Sequence, residues 1–118
     1  MKNSLFFIIL FLASFNSALA ACQTNRSGEV ICGLGPCAQD KEGDVYCSKY
    51  LHGDAVIDKY GHVICGKGQC LSSSDFNAFF CSSVDGGGAS LNRFGIVKCY
   101  AGCEKASPSM CETVKGQE

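Results

Sequence analysis

Apolar residues in this chain come in short pairs separated by polar, glycine-rich stretches: Val30-Ile31, Val56-Ile57, Val63-Ile64, Phe79-Phe80 and Ile96-Val97. Such pairs are too short for helical periodicity and suit brief strands. Several belong to one local motif, [Asn/Asp/Ser]-x-x-[Gly/Asn]-x-[Val/Phe]-x-Cys, whose five copies run 25–32, 40–47, 58–65, 74–81 and 92–99. An Asn or Asp at the first position can bond its own backbone two residues on. A Gly at the fourth supplies the positive φ that a three-residue hairpin loop requires. After the turn, the apolar residue and the cysteine are two apart, so both face one side of a strand. The expected fold class is all-β, a train of short hairpins.

The motif sits within a longer imperfect repeat. Gly28-Glu-Val-Ile-Cys32-Gly-Leu-Gly-Pro-Cys37 recurs as Gly61-His-Val-Ile-Cys65-Gly-Lys-Gly-Gln-Cys70 and, degraded, as Gly95-Ile-Val-Lys-Cys99-Tyr-Ala-Gly-Cys103. The period is 33 to 34 residues, and the linking segments match too, with Cys47-Ser48 leading to Gly53 and Ala55 as Cys81-Ser82 leads to Gly87 and Ala89. Repeats are expected over about 25–57, 58–91 and 92–118, within one domain spanning 21–118. Helices at the interval Cys22-x9-Cys32-x4-Cys37-x9-Cys47 are excluded. Gly28, Gly33, Gly35, Pro36 and Gly43 fall inside it, and Gly and Pro cost a helix interior ~1 and ~3 kcal/mol each.

The first twenty residues have a different character. Lys2 is followed by an apolar run, Leu5 to Phe15, broken only by Ser14; Asn16-Ser17 is polar, and Ala18-Leu19-Ala20 is a small-x-small cleavage site. This is the pattern of a signal peptide over 1–20. The run is short of the ~20 apolar residues a spanning helix needs, so no transmembrane helix is expected in the mature chain. Leu19-Ala20-Ala21-Cys22 also resembles the lipobox of bacterial lipoproteins. That resemblance implies an alternative in which Cys22 carries lipid and anchors the chain to the cell envelope.

All ten cysteines follow Ala20. An even count after an export signal points to a disulfide scaffold. Without a Cys-x2-Cys pair, metal binding is not expected. Counting outward from each turn sets Cys22 opposite Cys32 and Cys37 opposite Cys47. Opposite residues on paired strands have Cβ atoms ~4.5–5.5 Å apart, close to what a disulfide needs. Cys70–Cys81 follows if a bulge among Ser72–Ser74 absorbs one extra residue. Cys103–Cys111 would close a loop around Pro108, leaving Cys65–Cys99 to join successive repeats. A rival scheme joins Cys47 to Cys65 and Cys81 to Cys99.

Candidate chemistry is sparse. His52 and His62 are the chain's two histidines. No Gly-x-Ser-x-Gly elbow accompanies them, so no enzyme and no catalytic residue is expected. The Gly33/Gly35 and Gly66/Gly68 pairs do not open a helix and lack a phosphate-loop pattern. Asp40 and Asp44 flank one turn without an EF-hand pattern, and no cofactor or metal is expected. Removing Lys2 leaves nine basic and eleven acidic residues, a balance that does not suit nucleic acid. Asn25-Arg26-Ser27 is an N-glycosylation sequon at a turn tip.

The second turn position carries Arg26, Lys41, Lys59 and Arg93, with Asp75 the exception. Hairpins stacked in register would line these bases along one edge. Tyr60 and Phe94 follow two of them, so Lys59, Tyr60, Arg93 and Phe94 are the candidate surface contact for a protein or glycan. The expected function is a secreted or periplasmic, non-catalytic binding or envelope component. The alternative is a secreted inhibitor or toxin-like effector that presents Ser82–Ser90, with its Gly86-Gly87-Gly88 run, to another protein.

Overall fold

The structure, a computed structural model, describes residues 21–73 and 78–118. The leader expected over 1–20 and the turn expected over 74–77 lie outside the described residues. The fold is all-β. Its strands are β1 (Ala21–Thr24), β2 (Val30–Gly33), β3 (Cys37–Gln39), β4 (Val45–Ser48), β5 (Asp54–Ile57), β6 (Val63–Gly66), β7 (Cys70–Ser72), β8 (Phe79–Ser82), β9 (Ala89–Leu91), β10 (Val97–Cys99) and β11 (Cys103–Lys105), then a 3-10 turn at Pro108–Met110, β12 (Cys111–Glu112) and β13 (Val114–Lys115).

The first ten strands pair as consecutive antiparallel hairpins, β1–β2 through β9–β10. Four of the turns share one geometry. The Oδ1 of Asn25, Asp40, Asp58 and Asn92 accepts the backbone N–H four residues on, at 2.9, 2.9, 2.9 and 3.0 Å. In three of them it also accepts the N–H two residues on, from Glu42, Tyr60 or Phe94. Gly28, Gly43, Gly61 and Gly95 follow with φ of +85°, +90°, +82° and +78°. That left-handed region costs a side-chain-bearing residue ~1–2 kcal/mol, which explains the glycines.

The hairpins stack face on face, each offering a leading face toward the hairpin before it and a trailing face toward the one after. Alternation along the second strands puts Val30, Val45, Val63, Phe79 and Val97 on leading faces. Ile31, Tyr46, Ile64, Phe80 and Lys98 take the trailing faces. The packing follows this plan. Trailing Ile31 lies against leading Val45 and Cys47, and trailing Ile64 and Val56 lie against leading Cys70, Cys81 and Phe79. Sulfur fills much of the interior, for Cys47, Cys65 and Cys81 are fully buried.

The edge opposite the turns is held by close backbone approach. A Cβ on Gly33 would overlap the Cys47 side chain, and one on Gly66 would overlap Cys81. Ser48 and Ser82, both fully buried, tie successive layers. Ser48 Oγ donates to the Gly66 carbonyl at 3.0 Å and accepts the Tyr50 N–H. Ser82 Oγ donates to the Tyr100 carbonyl at 2.7 Å and accepts the Val84 N–H. Buried hydroxyls are costly when unpaired, and here each is paired twice.

After β10 the chain reverses at Ala101 (φ +60°) and Gly102 (φ +96°) and runs back along the stack. β11 pairs with β8, Ser107 bridges to Cys65 in β6, β12 pairs with β4, and β13 pairs with β2. The tail therefore covers the edge of the second strand of four hairpins in reverse order, which removes edges that would otherwise invite pairing with other chains.

This tail corrects two expected bridges. The structure joins Cys22–Cys32, Cys37–Cys47 and Cys70–Cys81 across hairpins. In place of Cys65–Cys99 and Cys103–Cys111 it joins Cys65–Cys111 and Cys99–Cys103. Cys65 and Cys99 belong to the third and fifth hairpins, with a whole hairpin between them. The turn at Ala101-Gly102 brings Cys99 and Cys103 to a Cα separation of 5.1 Å, and β12 lays Cys111 beside Cys65. In the fourth hairpin the extra residue sits in the connection between Ser72 and Phe79, since the ladder from Cys70–Cys81 to Ser72–Phe79 is unbulged.

Candidate functional site: a turn edge of basic and aromatic side chains

The turns stack as well as the strands. The Arg26 N–H donates to the Gly43 carbonyl at 2.9 Å, and the Lys41 N–H donates to the Gly61 carbonyl at 3.0 Å. The aliphatic stems of Arg26 and Lys41 lie on Gly43 and Gly61, where a Cβ would collide with them. The second turn position is thereby aligned from layer to layer, and Arg26, Lys41 and Lys59 line one edge. Arg93 holds the same position in the fifth hairpin, beyond the turn outside the described residues.

The four candidate contact residues form two separate pairs. Lys59 Nζ lies 5.1 Å from the centre of the Tyr60 ring, and the Arg93 guanidinium 5.0 Å from that of Phe94. Cations so placed are held by the ring quadrupole. Both rings are open to solvent, Tyr60 at 62% and Phe94 at 66% exposure. Beside Tyr60 is a depression of about 500 Å³ lined by Lys59, Ile64, Phe79, Lys105 and Pro108 among others. Lys105, supplied by the returning tail, is a second ammonium group that sequence reading did not connect with this place. His62 adds its ring 6.5 Å from that of Tyr60.

Other residues singled out in the sequence do not converge. His52 and His62 are both exposed; their backbone N–H groups bond Asp85 and Asp58 respectively. Asp40, Glu42 and Asp44 bring carboxylate oxygens within 4.8 Å of one another at the second turn. Asp40 Oδ1 is already taken by two backbone N–H groups there. Burial, and then the negative charges of Asp40, Asp44 and Glu42, raise the Tyr46 phenol above its ordinary pKa of 10.0.

The glycine run at 86–88 is woven into the stack. Gly86 N–H donates to the Lys67 carbonyl, the Gly87 carbonyl accepts from Gln69, and the Gly88 carbonyl accepts from Tyr100. Cys22 is bonded to Cys32, which uses the thiol that lipid would take. Among the described residues no helix is long and apolar enough to cross a membrane.

No family model, curated protein or solved structure matches the chain.

Proposed function

We propose that the protein is an exported, non-catalytic binding module, secreted or periplasmic, whose stacked turns present a ligand-binding edge. The observation that carries this reading is the Lys59–Tyr60 pair. An exposed aromatic face, an adjacent ammonium and a second ammonium from Lys105 stand on a turn fixed by backbone and Asx hydrogen bonds. A sugar ring stacks on such a face, and a carboxylate or sulfate on that sugar pairs with the lysines. Acidic glycan is accordingly the ligand class this edge suits best. Rigidity supports the reading, since a preordered turn loses little entropy on binding. The apolar run Leu5–Phe15 with its cleavage site at Ala18-Leu19-Ala20 and the five disulfides support export to an oxidising compartment.

The test is a glycan array that includes uronic-acid and sulfated glycans, probed with the exported protein and with a variant changed at Lys59, Tyr60, Arg93 and Phe94 together. Binding to acidic glycans that the variant loses is the expected result. Binding that the variant retains, or none to any glycan, removes this reading. Intact mass of the exported form, expected to begin at Ala21, checks the leader independently.

A further inference from the structure

The two ends of the stack are unlike. On the leading faces, Val45, Val63 and Val97 are 2%, 5% and 8% exposed, because each packs on the hairpin before it; Val30, in the same position of the first hairpin, is 46% exposed. Around Val30 the leading face continues with Thr24, the Cys22–Cys32 bridge and Val114, which lies opposite Cys32 and is 51% exposed. None of these side chains carries charge. At the far end the trailing position held by Ile31, Tyr46, Ile64 and Phe80 becomes Lys98, which is exposed and sits opposite Ser90. One end of the stack is closed by charge, and the other presents the kind of apolar face that every internal layer buries.

We propose that this first leading face binds the same face of a second copy, giving a closed two-fold dimer. Two features select that occupant. The face is apolar like its buried equivalents inside the stack, so burial against another sheet continues a packing mode the chain already uses. Head-to-tail addition would bring Lys98 of one copy onto Val30 of the next and leave an ammonium without a partner in an apolar contact, which is strongly unfavourable. A face that cannot take the opposite end of another copy is left with itself, the isologous arrangement.

The proposal rests on removal of the segment before Ala21. The experiment is sedimentation equilibrium of the exported protein over a wide concentration range, with its N-terminus fixed by intact mass. A monomer–dimer equilibrium is expected, weakened at least about tenfold by Val30→Glu, since that change buries two carboxylates per dimer. Val114→Lys on the neighbouring strand must act in the same direction, while Val30→Thr leaves most of the affinity. Because Val30 and Val114 are half exposed, these variants fold, and unchanged near-UV circular dichroism with no free thiol verifies it. A protein beginning at Ala21 that stays monomeric at the highest concentration overturns the proposal. So does a dimer indifferent to Val30→Glu and Val114→Lys, or open-ended assembly of the unaltered chain. A monomeric protein that retains its leader also overturns it, and mass tells that result apart from a failed dimer.

Discussion

Cys111 is bonded to Cys65 across 46 residues of chain, and this bridge fastens the returning tail to the third hairpin. The other bridges close 4 to 11 residues. In the loop-entropy picture, constraint of the unfolded chain grows with the loop, to ~4 kcal/mol for 46 residues against ~2.7 for ten. Replacing Cys65 and Cys111 together by Ala is therefore expected to cost more stability than replacing Cys22 and Cys32 together, by about 1 kcal/mol or more in denaturant unfolding. Hydrogen exchange should show amides of β12 and β13 losing protection first. Equal costs for the two double variants would mean that the tail is held by its strand pairing alone.

Reduction of all the bridges has a larger consequence. Among the described residues the largest fully buried side chains are cysteines and serines, and the apolar clusters are a few small or β-branched residues and one phenylalanine gathered around sulfur. A core so thin cannot offset the ordering entropy of the backbone. Several bridges of ~3 kcal/mol each are comparable with the ~5–15 kcal/mol net stability of a domain. Treatment with dithiothreitol should abolish the cooperative melt and the strand circular dichroism together. Survival of either in the fully reduced protein contradicts a sulfur-built core.

How far this was legible in the sequence follows from what each element depends on. The hairpins were readable because their signals are local. Asn25, Asp40, Asp58 and Asn92, each followed three positions on by Gly, set the turn, and the turn sets Cys22 opposite Cys32 and Cys37 opposite Cys47. The alignment of Arg26, Lys41 and Lys59 was readable only as a condition on stacking. The tail was not readable. β11, β12 and β13 are two or three residues long and recognise β8, β4 and β2 through backbone hydrogen bonds, which leave no pattern in side chains. The pairing of Cys111 with Cys65 in place of Cys103 was therefore not visible, nor was the place of Lys105 beside Tyr60.

Two turn glycines separate backbone strain from crowding. Gly28 and Gly43 have φ of +85° and +90°. A Cβ at Gly28 meets nothing within 4 Å, whereas one at Gly43 falls 2.6 Å from the Arg26 Cβ. Gly28→Ala should cost about 1–2 kcal/mol, the strain alone, and Gly28→Asn less, since Asn tolerates this region. Gly43→Ala must also push Arg26 from its seat and loosen the bond from Arg26 N–H to the Gly43 carbonyl. It should cost more than Gly28→Ala by at least ~1 kcal/mol. Similar costs at both sites would show that the turns are not packed on one another.

Tyr46 gives the stack a dependence on alkaline pH. Burial and the carboxylates of the second turn hold its proton, so the folded pKa lies above the 10.0 of an exposed tyrosine. The contribution is present below pH 10.0 and is lost as pH rises through the folded value, because the unfolded chain releases the proton more readily. In absorbance titration near 295 nm Tyr46 should ionise late, and Tyr46→Phe should remove that late step. A Tyr46→Phe spectrum with the late step intact assigns it to another tyrosine.

The charged end of the stack can be tested by making it like the interior. Ile64 in the third hairpin faces the next layer with Val56 opposite, and the fourth hairpin packs on them. Lys98 and Ser90 hold those places in the fifth hairpin. Changing Lys98→Ile and Ser90→Val together copies the internal pair onto the free trailing face, where Ile96 is already 49% exposed. The first leading face of another copy could then dock there as the fourth hairpin docks on the third. Such a contact joins two different surfaces without closing, so it propagates. Light scattering of the double variant should grow with concentration beyond any dimer, and Val30→Glu introduced into the same chain should suppress the growth by spoiling the other half of the contact. If the double variant scatters like the original protein, Lys98 is not what ends the stack.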